Sequence, residues 1–383
     1  MQKEKQFVPK LRFPEFDKEW ESRNIKEILT IGSGRDYKHL ENGVVPVYGS
    51  GGLMRYVSDY LYDGDSIGIG RKGTIDNPIF LTGKFWTVDT LFYTHSFRKS
   101  DIKFIYNQFQ RINWKKYNEA GGVPSLSKKT IEQIPIKSPT LPEQQKIANF
   151  LTSIDTQIQT LSTKKTLLEQ YKKGVLQKIF KQEIRFKDED GNDFAEWEKR
   201  KFADVLFEHK LKSTGKEEVH SVSVHKGVIN QIEHLGRSFA AKDTSKYNRA
   251  LPYDIIYTKS PTGDFPLGII KQNHIKEDVI LSPLYGVFTP ETKELGYILH
   301  VYFESSINTS NYLSSIIQKG AKNTINITNT TFLSKKMLLP VSKEEQIKIA
   351  DFLSAIDKNI ALVNTRIEHT KSYKKGLLQQ MFV

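Results

Sequence analysis

The sequence predicts an α+β protein in which two strand-rich domains are joined by two long helices packed as an antiparallel coiled coil. Three observations carry this expectation. A 38-residue segment occurs twice, its apolar residues keep a sustained helical spacing, and the stretch before each copy is broken into short strand-forming runs by Gly, Pro, Asn and Asp.

The duplication comes first, because an internal repeat decides architecture. Glu143-Gln144-Gln145-Lys146-Ile147-Ala148-Asn149-Phe150-Leu151 returns as Glu345-Gln346-Ile347-Lys348-Ile349-Ala350-Asp351-Phe352-Leu353. Ile154-Asp155 returns as Ile356-Asp357, and Tyr171-Lys172-Lys173-Gly174 as Tyr373-Lys374-Lys375-Gly376, always 202 residues later. Residues 143–180 and 345–382 share 18 identities over 38 ungapped positions, where chance gives a few. A weaker echo lies upstream of each copy. Leu11-Arg12-Phe13 matches Ile184-Arg185-Phe186, and Trp20-Glu21-Ser22-Arg23 matches Trp197-Glu198-Lys199-Arg200. The chain is two tandem units, each a globular head followed by a repeated segment.

The repeated segments read as helices that pair. Ile147, Leu151, Ile154, Ile158 and Leu161 step by four and three, as do Ile349, Leu353, Ile356, Ile360, Val363 and Ile367. That spacing draws one narrow apolar seam, suited to packing against another helix. Lys165 and Thr370 interrupt it. Pro142 sits where a first turn tolerates it, and Ser342 with Glu345 forms a capping-box pattern. Gly174 and Gly376 fall where a last turn would fray or another helix would come close. The copies are expected to run antiparallel, since the chain returns through a whole head between them.

The heads are expected to be strand-dominated and different from each other. The first carries Pro46-Val47-Tyr48-Gly49-Ser50-Gly51-Gly52 and Asp65-Ser66-Ile67-Gly68-Ile69-Gly70; the second carries Val222-Ser223-Val224-His225-Lys226-Gly227-Val228 and Asp254-Ile255-Ile256-Tyr257. Neither shows a helical period.

Several patterns suggest chemistry and fail on context. Gly68-Ile69-Gly70-Arg71-Lys72-Gly73 fits the dinucleotide fingerprint, but Thr74-Ile75-Asp76-Asn77-Pro78 follows where a helix is required. Asn77-Pro78-Ile79-Phe80 approaches the N-P-P-F motif of amino-group DNA methyltransferases, yet the second proline is missing and no S-adenosylmethionine loop precedes it. Asp89 with Asp101-Ile102-Lys103 approaches the acidic-acidic-lysine pattern of metal-dependent nucleases, a pattern that a chain with 26% charged residues produces by chance. His220 and His225, five apart on an expected strand, face opposite sides. The sequence offers no catalytic residues and no metal ligands.

Composition narrows the partners. The chain has 57 Lys and Arg against 44 Asp and Glu, a net charge of +13 with 17 Tyr and 22 Phe, which suits a polyanion and above all nucleic acid. A merely basic protein shares that balance. Zero cysteines exclude disulfides, thiolate zinc and a cysteine nucleophile and fit a cytoplasmic location. No apolar run reaches the ~18 to 20 residues of a membrane span, and with no apolar stretch after Met1-Gln2-Lys3-Glu4-Lys5 a secretory signal is not expected. Candidate DNA contacts are Arg35, Lys38, Arg71, Lys72, Thr74, Lys128 and Lys129 in the first head. In the second they are Lys226, Arg237, Lys259, Ser260, Thr262, Lys322 and Asn323. Such side chains hold phosphates, and Arg, Lys and Asn also pair with base edges.

On its helix motif the chain resembles the specificity subunit of Type I restriction-modification enzymes over its whole length. The resemblance rests on Leu141-Pro142-Glu143-Gln144-Gln145-Lys146-Ile147-Ala148 and its repeat from Lys343 to Ala350, and on the helix ends Tyr171 to Gln177 and Tyr373 to Gln379. Asp65 to Thr74, and the stretches Gly236-Arg237-Ser238 and Ser245-Lys246-Tyr247, resemble family recognition loops. Glu344 stands where the family has proline. The resemblance implies target-recognition domains at 1–140 and 182–340 and helical regions at 141–181 and 341–383. It implies a non-catalytic, DNA-binding chain that reads a bipartite, asymmetric site and directs adenine-N6 methylation and restriction. Two methyltransferase and two restriction subunits would be partners, with S-adenosylmethionine, ATP and magnesium bound on them and no cofactor on this chain. An enzyme with a disguised site, or a purely structural coiled-coil adaptor, would be the rival readings.

Overall fold

The computed structural model describes residues 7–319 and 325–383. The chain forms two compact units, Met1–Lys165 with Val363–Val383, and Thr166–Leu362. The helices Leu141–Phe180 and Lys343–Gln380 each contribute to both units.

The heads share one plan despite their divergent sequences. In the first, an antiparallel sheet runs in the order Thr30–Ser33, Leu91–His95, Ser66–Gly70, Ile79–Leu81. In the second, the order is Leu206–Phe207, Gly286–Pro290, Ile255–Tyr257, Ile270–Gln272. Each sheet is followed by a helix, Ile102–Phe109 or Lys293–Tyr302, and later by a five-residue helix, Lys128–Glu132 or Asn329–Leu333, capped by Ser127 or Thr328. A strand that opens the head pairs with the one that closes it: Glu21–Asn24 with Pro135–Ser138, and Glu198–Lys201 with Lys336–Leu339. The first head adds a sheet of Gly52–Val57, Asn42–Gly49, Lys84–Thr87 and Tyr62–Asp63. The second instead adds strand pairs, among them His220–Ser223 with Gly227–Asn230, Asn248–Ala250 with Val279–Leu281, and the short Gln318–Lys319 with Ile325–Asn326.

The duplicated Glu-Gln dipeptide locks each long helix to its head. Glu143, 1% exposed, accepts from both Arg12 Nε and Nη2 at 2.8 Å and from Trp20 Nε1 at 3.3 Å. Glu345 accepts from Trp197 Nε1 at 3.1 Å, with Arg185 Nε 3.6 Å away. The amides of Gln144 and Gln346 donate to Pro139 O and Pro340 O; their carbonyls accept from Asp101 N and Thr292 Oγ1. The upstream echoes around Arg12, Trp20, Arg185 and Trp197 are thus the partners of the repeated carboxylates. This corrects the capping-box reading: Ser342 Oγ caps Glu345 N at 3.1 Å, but the Glu345 side chain turns inward to Trp197. Breaking a buried pair from one side strands the other charge. Glu143→Ala is therefore expected to lower unfolding stability by about 3 kcal/mol, and urea denaturation that shows a loss below about 1 kcal/mol would contradict this role.

The seam residues do more than pair helices. In the first unit Ile147, Leu151 and Ile154 are buried in one core with Trp20, Phe104, Phe109, Leu377 near the end of the other long helix, and Met381 and Phe382 just beyond it; Ile158 packs at its margin, and Leu161 is partly exposed. In the second, Ile349 and Leu353 share a core with Val175, Leu176, Ile179, Trp197, Ile298 and Val301. Ile356, Val363 and Ile367 are buried, and Ile360 is partly exposed. Antiparallel pairing is direct in the first unit, where Asp155 meets Lys374 at 2.6 Å and Lys165 meets Asn364 at 2.8 Å. The repeat-related pair Lys172–Asp357, at 2.7 Å, occurs in the second. Lys165 therefore interrupts the seam by bonding across it, and Thr370 Oγ1 returns its proton to Arg366 O. Gly174 and Gly376 neither end a helix nor touch another: a Cβ on either would meet open space. The helices run past them because Val175, Leu176, Ile179, Leu377 and Met381 are anchored in the cores.

Among the described residues no helix is long and apolar enough to cross a membrane.

Candidate nucleic-acid interface

The shared sheet brings the same three chain positions to one rim of each head: the segment after its first strand, the segment after the strand that comes third in sheet order, and the five-residue helix. In the first head these are 34–38, 71–74 and Lys128–Glu132. The first two lean on residues 87–90, and the chain leading into the short helix leans on the second. Arg35 N donates to Thr87 O at 2.9 Å, while Arg71 N and Lys72 N donate to Thr90 O at 2.8 and 3.4 Å. Gly73, at φ +90°, donates to Pro124 O at 2.8 Å, and Leu126 N reaches Arg71 O at 2.8 Å. That positive φ suits glycine.

Arg35, Lys38, Arg71, Lys72 and Thr74 are exposed on this rim, as are Lys128 and Lys129 on the short helix. Arg71 lies over Phe92 with its Nη1 3.4 Å from Asp89 O, and Lys128 sits 3.8 Å from Glu132. Gly68 and Gly70 lie in a fully buried strand, and the turn after Thr74 leads to the strand Ile79–Leu81 without a helix. A Cβ at Gly70 would collide with Thr74 O, which accounts for that glycine by a close backbone approach.

The equivalent positions in the second head are 208–212, 258–260 and Asn329–Leu333. They enclose a cleft of about 210 Å³ whose polar lining includes Glu208, Lys210, Lys212, Asn248, Lys259 and Asn329. Lys259 is half-buried with φ +54°; burial pushes its ammonium pKa down while Glu208 pulls it back up. Asn329 Nδ2 donates to Glu208 Oε1 at 2.7 Å, and its Oδ1 is buried without a hydrogen bond. Lys212 Nζ donates to Asn248 Oδ1 at 2.6 Å. Ser260 is half-buried beside Lys259, and Thr262 is exposed in the adjoining turn.

Lysines and amides around a concave rim can pair with phosphates and base edges. One arrangement here resembles the His–Asp pair of a catalytic site, with both ring nitrogens engaged by the protein itself. His209 Nε2 lies 2.8 Å from the buried Asp254, which also accepts from Thr289 Oγ1 at 2.8 Å. His209 Nδ1 accepts from Leu211 N at 3.1 Å, so both ring nitrogens are occupied. The histidine pins the segment carrying Lys210 and Lys212 to the sheet. Among the described residues, no three His, Asp or Glu side chains are grouped to hold a metal ion.

Other sequence candidates lie elsewhere. His220 is in a strand that ends at Ser223, and His225 and Lys226 occupy the turn beyond it, so the two histidines do not share one strand. His225 lines a separate cleft of about 560 Å³ with Lys172 and Lys173 of the first long helix. Arg237 is exposed and stacks over Phe239 at 4.6 Å, after the helix Gln231–Leu235. Lys322 and Asn323 fall outside the described residues. Sequence reasoning missed Lys210, Lys212, Asn248 and Asn329; for the lysines, the signal available was their place just after the apolar pair Leu206-Phe207.

Residues 17–170 and 195–371 match the family described as Type I restriction modification DNA specificity domain. The chain is 26% identical over 342 residues to the Type I restriction enzyme MjaVIII specificity subunit of Methanocaldococcus jannaschii, spanning 83% of this chain and 76% of that one. It is 22% identical over 154 residues to the EcoprrI specificity subunit of Escherichia coli, 38% of each chain. The crystal structure of a Type-I restriction-modification S subunit from M. genitalium superposes with a TM-score of 0.64 at 14% identity, covering 98% of this chain and 99% of that one, a likeness of fold.

Proposed function

The chain belongs to the Type I restriction-modification DNA specificity family, and from that premise we propose that it is a non-catalytic reader of a bipartite, asymmetric DNA site. Each head reads one half-site, and the paired helices set the unread spacer. The helices dock two methyltransferase subunits that modify adenine N6, and two restriction subunits complete the complex. S-adenosylmethionine, ATP and magnesium belong to those partners, and the assembly works in the cytoplasm.

One observation carries this reading above the others. Two heads built on the same sheet order present different side chains at equivalent rim positions. Arg35, Arg71, Lys72 and Lys128 in the first stand where Lys210, Lys212, Lys259 and Asn329 stand in the second. One scaffold with two sets of loops suits two different half-sites. The repeat-related Tyr171 and Tyr373 are 53% and 57% exposed on the long helices, which suits docking of two copies of one partner. The domain division that follows is 1–140 and 182–340 for recognition, with 141–181 and 341–383 for spacing and docking.

Salt dependence separates a reader from a structural adaptor. Neutralising about six phosphates predicts that duplex affinity of the full chain falls on the order of a thousandfold between about 50 and 200 mM salt. Affinity that is flat over this range would favour the adaptor.

A further inference from the structure

The first head leaves apolar side chains in water beside its cations. Gly52–Val57 is the outer strand of its sheet, and Leu53, Met54, Arg55 and Tyr56 are all exposed. A strand with one covered face would bury every second residue. Leu53 and Met54 are each 53% exposed, and Val123 on the adjoining loop is 57% exposed. Proteins normally cover or charge an apolar edge of this kind.

The surroundings indicate what covers it. A Cβ at Gly49 would lie 2.8 Å from Met54 Sδ and close to Val88 and Thr90, so Met54 faces the segment that holds Arg71 and Lys72. Ser50 Oγ, in the hairpin turn, donates to Lys72 O at 2.7 Å. Gly73 N donates to Pro124 O, next to Val123. The apolar group is thus flanked by the exposed cations Arg71 and Lys72, with Arg35 and Lys38 on the same rim, against two exposed carboxylates in these segments, Asp36 and Asp89. An apolar protein partner would meet these cations unpaired. Duplex DNA meets both chemistries, since phosphates take the cations and a base step takes apolar side chains. The turn is slim: a Cβ at Gly51 or Gly52 would meet nothing within 4 Å.

Resting on the DNA-reading function above, we propose that Leu53 and Met54 form a wedge that the first head inserts from the minor groove between neighbouring base pairs of its half-site. Arg71 and Lys72 hold the flanking phosphates, and the wedge kinks the duplex at that step.

The test uses the full chain without methyltransferase, so that no base flipping by an enzyme contributes. The probes are duplexes carrying the methylated split site, with 2-aminopurine placed at successive positions of each half-site and a dye pair at the ends. The wild type is expected to raise 2-aminopurine fluorescence several-fold at one step of one half-site and to shorten the end-to-end distance. Leu53→Ala with Met54→Ala, both at exposed positions, should remove at least half of that rise and relax the bend, with an unchanged salt slope. Val123→Ala serves as a second, milder variant and should reduce the rise in part. A double variant that keeps the full rise and bend overturns the wedge, as does one that binds DNA normally but no longer captures the methyltransferase. Failure of the wild type to bind any duplex overturns the DNA-reading function itself.

Discussion

Seven residues inserted into both long helices, between Lys165 and Thr166 in the first and between Leu362 and Val363 in the second, are expected to lengthen the unread spacer by about one to three base pairs while leaving both half-sites intact. The two points face each other in the antiparallel register, because Asp155 meets Lys374 and Lys165 meets Asn364. A heptad keeps the seam in phase, and it adds roughly 10 Å of helix at ~1.5 Å per residue. The range allows for incomplete transmission of that length to the DNA. The same insertion in one helix alone should cost assembly, since it puts Lys165 and Asn364 out of register. Methylation at the original spacer by the matched variant would sink the idea that the helices measure distance.

The second large effect is expected at the rim. Arg71→Ala combined with Lys72→Ala should weaken DNA binding at least tenfold and reduce the salt slope by about two, one for each lost phosphate contact. Both side chains are exposed, so thermal unfolding should shift by no more than about 1 °C for a change well inside the ~0.5 kcal/mol typical of surface positions. Lys210→Ala with Lys212→Ala should act in the same direction through the other half-site. Duplexes with one half-site scrambled assign each effect to its head. An unchanged affinity in both doubles would remove these rims from the interface.

What was legible in the sequence was what local periodicity encodes. Steps of four and three from Ile147 to Leu161 and from Ile349 to Ile367 define helices whatever they pack against, and the duplication makes them a pair. The role of Glu143 and Glu345 was not legible, because a glutamate three residues after Ser342 looks the same whether it caps the helix or receives a tryptophan from far away in the chain. The upstream echo of Arg12 and Trp20 in Arg185 and Trp197 was seen, but only the folded heads bring those residues to the carboxylates. Val175, Leu176, Leu377 and Met381 follow Gly174 and Gly376, which read as a fraying last turn or a close helix contact, so their part as end anchors shows only in the folded cores.

The common plan of the heads was illegible for a different reason. Their strands are two to five residues long in the shared sheet, too short to carry a period, and the order first, last, second, third is set by long-range pairing. The rim suffered accordingly. Arg71 and Lys72 stood out because a glycine-rich run frames them, whereas Lys210, Lys212 and Asn329 follow ordinary residues and become candidates only once the two sheets are compared. Lys226 stood out for the same local reason as Arg71, yet its turn lies next to a residue that faces the first long helix.

The central claim is that this chain, and nothing else in the complex, chooses the bases. It is tested most directly by mapping N6-methyladenine with long-read sequencing in a methylation-free host that expresses the cognate methyltransferase subunit with and without this chain. A split, non-palindromic motif that appears only when the chain is present is the predicted result, and it gives both half-sites and the spacer together. Methylation of the same motif without the chain, or none at all from a purified complex that contains it, would contradict the account.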